Sequence, residues 1–263
     1  MQVITSKDNE QIKYIRKLKE KKYREEYNEF IIEGIKTIKE AIEEKADIKT
    51  IVVCEDCEKQ GVFDKKLMYE IAKYNCIYVN EKVFDTITDV MNHQGMLAVV
   101  SKKQRMSKID YKEDLIIILD NIQDPGNLGT IIRTVDSAGI KQIVVSKESV
   151  EAYSSKVIRS TTGAIFRVNI IEVEDLEKTI KEIKKKGFRV YASVLGHNKG
   201  IYDINYKKTA VIIGNEANGI SENILNVSDE FITIPMLGKT ESLNAAVATS
   251  IIIYEYVRQK LEK

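Results

Sequence analysis

The sequence is poor in the residues that most often carry metal or nucleophilic chemistry. Its 263 residues include no tryptophan, two prolines, three cysteines and two histidines, His93 and His197. Two histidines give poor support to a Ser/His/Asp triad or to a histidine-based metal centre. The charges also nearly cancel, with 41 Lys and Arg against 40 Asp and Glu. Any affinity for nucleic acid must therefore come from local basic patches and not from a global field.

Long hydrophobic runs are also lacking. The opening residues are polar and charged, without the apolar centre of a signal peptide, and no run of about 18 uncharged apolar residues follows. We expect a cytoplasmic protein whose cysteines are reduced. Cys54 and Cys57 have the spacing of half a zinc knuckle, with His93 as an imaginable fourth ligand, but the second spaced pair is absent. We therefore expect no metal ion.

Strand-like and helix-like segments alternate along both halves of the chain, which is typical of α/β domains. Residues 101–114 interrupt this alternation, since they lack apolar periodicity and carry five basic residues. We predict a small α/β domain over residues 1–103, a linker over 104–113 and a second domain over 114–263. Strands of almost continuous Val, Leu and Ile in the second domain predict a parallel sheet covered by helices on both faces.

Two predicted helices have distinctive surfaces. Residues 7–24 place Ile12, Ile15 and Leu18 at helical spacing, with eight basic and three acidic residues on the remaining positions. This pattern predicts one helix with a basic outer face. The last helix carries a long apolar stripe, which comprises Leu243, Val247, Ile251, Tyr254, Val257 and Leu261.

The first of three loops that follow predicted strands spans residues 119–139. It opens a helix through Asp-Pro-Gly-Asn-Leu-Gly, with Asn127 where a helix cap is expected and Arg133 farther along the helix. A dinucleotide-binding loop also follows a strand and opens a helix, but it needs Gly-x-Gly-x-x-Gly, which is absent. The loop therefore does not indicate NAD.

The second loop, 211–221, and the third, 232–250, combine glycines with polar residues. Gly214 ends a buried strand, and Gly219 follows an asparagine in a pair that tolerates positive φ. The third loop contains Leu-Gly-Lys-Thr, which matches the end of a phosphate-binding P-loop, but the first glycine of that motif is replaced by Thr233. A nucleoside triphosphate is therefore not indicated either.

Together the three loops resemble the motifs of the SpoU/TrmH family of S-adenosylmethionine-dependent RNA 2'-O-ribose methyltransferases, within the SPOUT superfamily. Asp-Pro-x-Asn-x-Gly with Arg six residues beyond the Asn, Gly-x-Glu-x-x-Gly after a strand, and Ile-Pro-Met ahead of Ser-Leu-Asn occur in the family's order. The N-terminal half more loosely resembles an L30e-like RNA-binding domain, with residues 93–98 as its closing strand.

The resemblance implies a fold, a cofactor and partners. The C-terminal parallel-sheet domain would contain a deep trefoil knot, and the chain would form a homodimer through this domain, using part of the stripe on its last helix. S-adenosylmethionine would lie bent in the pocket of the second and third loops. The residues expected to hold it are Leu195, Gly214, Gly219, Ile234, Met236 and Leu243.

The resemblance also implies catalytic and RNA-binding residues. Arg133 would contact the ribose hydroxyl, while Asn127, Glu216, Ser242 and Asn244 shape the site. A guanidinium pKa above about 12 favours electrostatic stabilisation of the alkoxide over a general-base role for Arg133. Phosphate contacts would come from the basic N-terminal helix, through Lys13, Arg16, Lys17, Lys21 and Arg24.

Each of these residues also has a plain structural interpretation. Asn127 is a possible helix cap, Arg133 a possible ion-pair partner of Asp136, Glu216 a loop carboxylate, and Ser242 and Asn244 are possible caps of the last helix. At the level of function, a two-domain layout favours ribosomal RNA over transfer RNA as substrate, by analogy. The alternatives are a tRNA 2'-O-methyltransferase, a non-catalytic RNA-binding protein of L30e type, and a small-molecule enzyme with a nucleotide cofactor.

Overall fold

Residues 3–102 and 108–262 are described by the computed structural model. They divide into two units, one from the described parts of Met1–Gln104 with Tyr153–Phe166, the other from those of Arg105–Ala152 and Arg167–Lys263. The sequence pattern did not indicate that 153–166 joins the first unit. There the rings of Phe30 and Tyr153 lie 4.9 Å apart. Periodicity identifies the buried face of a helix without telling which sheet that face covers.

The first unit contains a five-stranded mixed sheet. Its strands are β1 (Val3–Ile4), β2 (Glu29–Glu33), β3 (Ile48–Cys54), β4 (Cys76–Val79) and β5 (Met96–Ser101), in the order β1-β4-β3-β5-β2. Its helices are α1 (Glu10–Lys17), α2 (Lys21–Glu26), α3 (Ile35–Glu43), α4 (Glu55–Lys59), α5 (Lys65–Ile71), α6 (Glu81–Ile87) and α8 (Ser155–Thr161). Among the described strands of this unit, only β5 runs in the opposite direction, since it pairs antiparallel with both β2 and β3, whereas β4 pairs parallel with β3 and β1.

The basic N-terminal segment forms two helices where the sequence predicts one. α1 ends at Lys17, and its C-cap Leu18 is buried together with Ile12 and Ile15. The guanidinium of Arg24, in α2, donates hydrogen bonds to the carbonyl oxygens of Leu18 at 2.8 Å and Lys19 at 2.6 Å. These carbonyls therefore end the helix instead of continuing it.

The second unit contains a six-stranded sheet in which all strands are parallel, as predicted. Its strands are β6 (Leu115–Leu119), β7 (Gln142–Ser146), β8 (Asn169–Val173), β9 (Arg189–Ser193), β10 (Thr209–Ile213) and β11 (Glu230–Ile232), in the order β11-β9-β10-β6-β7-β8. Its helices are α7 (Pro125–Ser137), α9 (Leu176–Lys185), α10 (Glu222–Val227) and α11 (Ala245–Leu261). Every residue of β6, β7 and β10 is buried, which explains their apolar sequences.

The topology brings the three polar loops to one edge of this sheet. β10 pairs with both β6 and β9, and β9 pairs with β11. The loops after β6, β10 and β11 therefore leave from the same carboxyl edge of one parallel sheet, which is where open α/β sheets bind ligands.

The last helix differs from its predicted orientation. The buried face of α11 includes Ile252, Ile253 and Tyr256, whereas Val247 and Tyr254 of the predicted stripe are about half exposed. The helix is apolar on both sides, so a single stripe could not identify its inner face. Within residues 3–102 and 108–262, no helix has the length and apolar character needed to cross a membrane.

Candidate active site

A cavity of about 350 Å³ opens at the carboxyl edge of the second unit's sheet. Its walls come from the ends of β9 and β10, the loop after each, and the loop between β11 and α11. All six residues predicted to hold a cofactor line it, namely Leu195, Gly214, Gly219, Ile234, Met236 and Leu243. Glu216, Ser242 and Asn244 of the predicted catalytic set also line it, whereas Asn127 and Arg133 do not.

Asn127 joins two of these residues from behind the cavity wall. Its side-chain amide donates a hydrogen bond to Oε1 of Glu216 at 2.9 Å, and its Oδ1 accepts one from the amide of Asn244 at 2.8 Å. The interpretation of Asn127 as a cap is wrong, because the N-cap of α7 is Asp124, whose carboxylate accepts from the backbone N–H of Asn127 at 2.8 Å. Its side chain is thereby left to bridge the second and third loops.

Asn244 has the capping role considered from the sequence. Its Oδ1 caps α11 by accepting hydrogen bonds from the backbone N–H groups of Ala246 at 2.9 Å and Val247 at 3.2 Å. Because the oxygen is committed to the cap, the amide nitrogen is oriented towards Asn127. The start of α11 is therefore fixed to α7 through one asparagine pair.

The carboxylate of Glu216 is a well-satisfied anion. Besides Asn127, it accepts hydrogen bonds from the backbone N–H groups of Gln123 and Asp124, each at 3.2 Å. Burial pushes the pKa of Glu216 up, but the hydrogen bonds from Asn127 and the backbone together outweigh it and hold the pKa below its ordinary value. Glu216 is therefore ionised at neutral pH and is a weak proton acceptor.

Gly214 and Gly219 of the second loop each require glycine, but for different structural reasons. A Cβ at Gly214 would lie 2.3 Å from the backbone of both Gly219 and Ile220, so this position needs glycine for a close approach of the chain to itself. Gly219 has φ +70 with nothing within 4 Å of a built Cβ, so it needs glycine for its backbone conformation.

Arg133 is not part of the hydrogen-bonded group formed by Glu216, Asn127 and Asn244. It is exposed on α7 and makes no hydrogen bond or ion pair within the described ranges. The considered ion pair with Asp136 does not form, since Asp136 binds Nε of Arg167 at 2.9 Å. Ser242 is exposed at the cavity wall, which places it beside the other polar residues.

The predicted RNA-binding residues of the first unit differ in how exposed they are and in which groups they contact. Lys13 pairs with Glu10 at 2.9 Å and Lys21 with Glu25 at 3.6 Å, both near the surface. The ammonium group of Lys17 lies 5.4 Å from the centroid of the Tyr23 ring, and Arg16 is partly exposed. Arg24 is buried, and its guanidinium holds the end of α1, so the structure does not support its assignment to an RNA surface.

The cysteines and histidines provide no obvious metal centre. Cys54 and Cys57 are buried free thiols, and burial followed by the contact with Cys54 raises the pKa of Cys57 to about 12. His93 lies with Nε2 3.1 Å from Oδ1 of Asp85. Among the residues with described positions, no group of three or more His, Cys, Asp or Glu could hold a metal ion.

Two family models match the chain. Residues 114–254 match the SpoU rRNA Methylase family, and residues 9–98 match the MRM3-like substrate binding domain. The second match covers the segment for which an L30e-like domain was predicted.

Individual relatives agree with these matches. The chain is 30% identical over 255 residues to the 23S rRNA (guanosine(2553)-2'-O)-methyltransferase RlmP of Bacillus subtilis strain 168, which covers 97% of this chain and 98% of the relative. An AdoMet-bound rRNA methyltransferase structure from Sinorhizobium meliloti is 31% identical with a TM-score of 0.85, over 98% of each chain. The A. aeolicus TrmH/SpoU tRNA modifying enzyme is 34% identical with a TM-score of 0.52, but it covers 57% of this chain and 76% of its own.

Proposed function

Because the chain belongs to the SpoU rRNA methylase family, it is an S-adenosylmethionine-dependent RNA methyltransferase, and we propose that it methylates a ribose 2'-hydroxyl of 23S-type ribosomal RNA. The observation that carries the proposal is the hydrogen-bonded chain Glu216–Asn127–Asn244 at the cavity. It joins one residue from each of the three loops at the carboxyl edge of the second unit's sheet.

The cavity fits the cofactor by size and by lining. A volume of about 350 Å³ lies in the range of small-molecule sites, roughly 300–1,000 Å³. The apolar residues Leu195, Ile234 and Leu243 offer surface to an adenosine, and the exposed backbone around Gly214 offers polar groups. When bound, the sulfonium supplies an already activated methyl group, so no metal ion or covalent enzyme intermediate is required.

The protein's remaining task is to orient the ribose oxygen and to ease loss of its proton. Orientation alone supplies roughly 7–11 kcal/mol in favourable cases. We assign to Arg133 the stabilisation of the developing alkoxide, since its guanidinium is a cation that has no hydrogen-bond or ion-pair partner among the described residues. Glu216 and Asn127 are assigned to the architecture of the site, because their polar atoms are already engaged with each other.

Ribosomal RNA is favoured over transfer RNA by the extent of the relatives. The likeness to RlmP extends over nearly all of both chains, whereas the likeness to the tRNA enzyme covers little more than the methylase part. We assign the first unit to RNA positioning through Lys13, Arg16, Lys17 and Lys21, in line with its match to a substrate binding domain. A substrate of this kind is consistent with the cytoplasmic location expected from the sequence.

The remaining predictions of the resemblance belong to the same proposal. We propose a homodimer through the second unit, supported by the half-exposed Val247 and Tyr254 on α11. Arg133 does not line the cavity of its own chain. In the proposed homodimer, it would reach a ribose at the cavity of the second copy. The trefoil knot and the division at residues 103 and 114 also stand as proposals.

Two assays test the function. Calorimetry should detect binding of S-adenosylmethionine and neither NAD nor ATP. Purified protein should then transfer a labelled methyl group to deproteinised 23S ribosomal RNA and not to bulk transfer RNA. Binding of NAD or ATP alone would favour a small-molecule enzyme, and transfer only to transfer RNA would favour the tRNA alternative.

A further inference from the structure

Asn215 makes an unusual number of hydrogen bonds for a partly exposed loop residue. Its backbone exchanges two hydrogen bonds with Gly219, both at 2.9 Å, which close the turn at 215–219. Its side-chain Oδ1 accepts two more, from the N–H groups of Ala217 at 2.9 Å and Asn218 at 3.0 Å. One side chain therefore shapes the inside of the turn that forms part of the cavity wall.

The fifth bond of Asn215 leaves this turn. Its Nδ2 donates to the backbone carbonyl of Asn121 at 2.8 Å, in the loop that follows β6. Asn121 has a φ of 59°, a left-handed conformation that non-glycine residues seldom adopt. The carbonyl that accepts from Asn215 therefore belongs to a residue with an uncommon backbone conformation.

Glu216, the next residue, forms hydrogen bonds with the same loop farther along the chain. Its carboxylate accepts from the N–H groups of Gln123 and Asp124, as described above. Asn215 donates to this loop and Glu216 accepts from it, so two adjacent side chains hold it at two points with opposite polarity. Each contact restricts the rotation that the other alone would allow.

We infer that Asn215 is a positioning residue for methyl transfer. It holds the loop 120–124 against the turn 215–219, so that Glu216 and Asn127 keep their relative positions. This inference rests on the proposed function. It predicts that loss of the single bond to Asn121 impairs transfer more than it impairs cofactor binding, because the cavity-lining turn has four bonds of its own.

The substitution Asn215→Asp isolates that bond. Aspartate keeps an acceptor for Ala217 and Asn218 but replaces the donor towards Asn121 by an oxygen that repels the carbonyl. Asn218→Asp is the matched control, since it adds the same charge to the same turn at a side chain without a hydrogen bond among the described residues. Asn215→Ser is a neutral second variant, whose shorter side chain also lacks the donor amide.

The experiment measures kcat on ribosomal RNA, the dissociation constant for S-adenosylmethionine and the melting temperature of the full chain. We expect Asn215→Asp and Asn215→Ser to lower kcat about 10- to 100-fold, as small misplacements of catalytic groups do. Cofactor affinity should stay within about threefold, and Asn218→Asp should stay within about threefold of wild type in both quantities.

Two results would overturn the inference. One is a kcat near the wild-type value for both Asn215 variants. The other is a parallel loss of kcat, cofactor affinity and melting temperature, since this pattern indicates general loosening of the turn. Failure of the wild-type protein to bind S-adenosylmethionine or to methylate RNA would instead refute the proposed function, so the two failures are distinguishable.

Discussion

The side-chain amide of Asn127 donates a hydrogen bond across 2.9 Å to the carboxylate of Glu216, although 89 residues separate them in the chain. Asn127 lies in the first turn of α7 and Glu216 in the loop after β10. Because β6 and β10 are neighbouring parallel strands, their carboxyl ends bring the two side chains together. The bond thus connects the sheet topology to the site.

The first prediction concerns the pH dependence of stability. The pKa of Glu216 is lower in the folded protein than its ordinary value of 4.5, so the unfolded chain binds more protons near that pH. The stabilisation is therefore complete above pH 4.5 and is lost as the pH falls through the lower, folded-state pKa. Glu216→Gln should flatten the rise in unfolding free energy with pH in this acidic range.

Denaturant unfolding at a series of acidic pH values measures this slope. Glu172→Gln, at an exposed carboxylate on β8, is the control and should retain the wild-type slope. Equal slopes for wild type and Glu216→Gln would show that Glu216 is not held ionised by its neighbours.

The two glycines of the second loop should respond differently to alanine. Gly214→Ala places a Cβ 2.3 Å from backbone atoms, so the loop must open, and we expect at least about a tenfold loss of S-adenosylmethionine affinity. Gly219→Ala meets open space and carries only the strain of positive φ, of order 1 kcal/mol. Calorimetry and thermal unfolding of both variants measure the difference. Unchanged affinity in Gly214→Ala would refute the close-approach explanation.

Arg133 is predicted to act in transfer and not in cofactor binding. Arg133→Ala should reduce methyl transfer by about 10²-fold or more, by analogy with the loss of one oxyanion-stabilising donor, while cofactor affinity stays within a few fold. Arg133→Lys should recover only part of the rate, since lysine lacks the planar fork. The exposed Lys185 at the end of α9 provides a control cation for alanine substitution. A near wild-type rate in Arg133→Ala would mean that its assigned role is wrong.

Arg16 and Arg24 of the first unit should respond differently to alanine substitution, because Arg16 is assigned to RNA binding whereas Arg24 stabilises the fold. Arg16→Ala combined with Lys17→Ala should weaken RNA binding and reduce the slope of log affinity against log salt by roughly 0.7–0.9 for each phosphate that the variant no longer neutralises. Arg24→Ala should leave that slope unchanged but destabilise the fold by about 1–3 kcal/mol, because the carbonyls at the end of α1 lose a buried donor. Filter binding over a salt series and thermal unfolding separate the two effects. An unchanged salt slope in the double variant would remove α1 from the RNA surface.

Several features could be predicted from the sequence because they follow local rules. Apolar runs such as Leu115–Leu119 indicated buried parallel strands, and Asn218-Gly219 indicated a turn with positive φ, which Gly219 adopts. The family motifs also indicated which residues would surround one cavity, and nine of the predicted side chains or glycines line it. Their assignments to cofactor and catalysis remain predictions.

Other features depend on interactions that no local pattern contains. The break between α1 and α2 depends on Arg24 reaching back to two carbonyl groups, which spacing alone does not reveal. The bridging role of Asn127 depends on Asp124 taking the cap, and both residues are favourable caps in isolation. The inner face of α11 was ambiguous because both of its sides are apolar. The segment 153–166 joins the first unit through tertiary packing.

The most direct test of the proposed function is to incubate the protein with S-adenosylmethionine and deproteinised 23S ribosomal RNA, digest the RNA and identify the methylated nucleoside by mass spectrometry. We expect a single 2'-O-methylated nucleotide with the wild-type protein and none above background with Arg133→Ala. A methyl group on a base, or no transfer by a protein that binds the cofactor, would show that ribose methylation of this RNA is not its reaction.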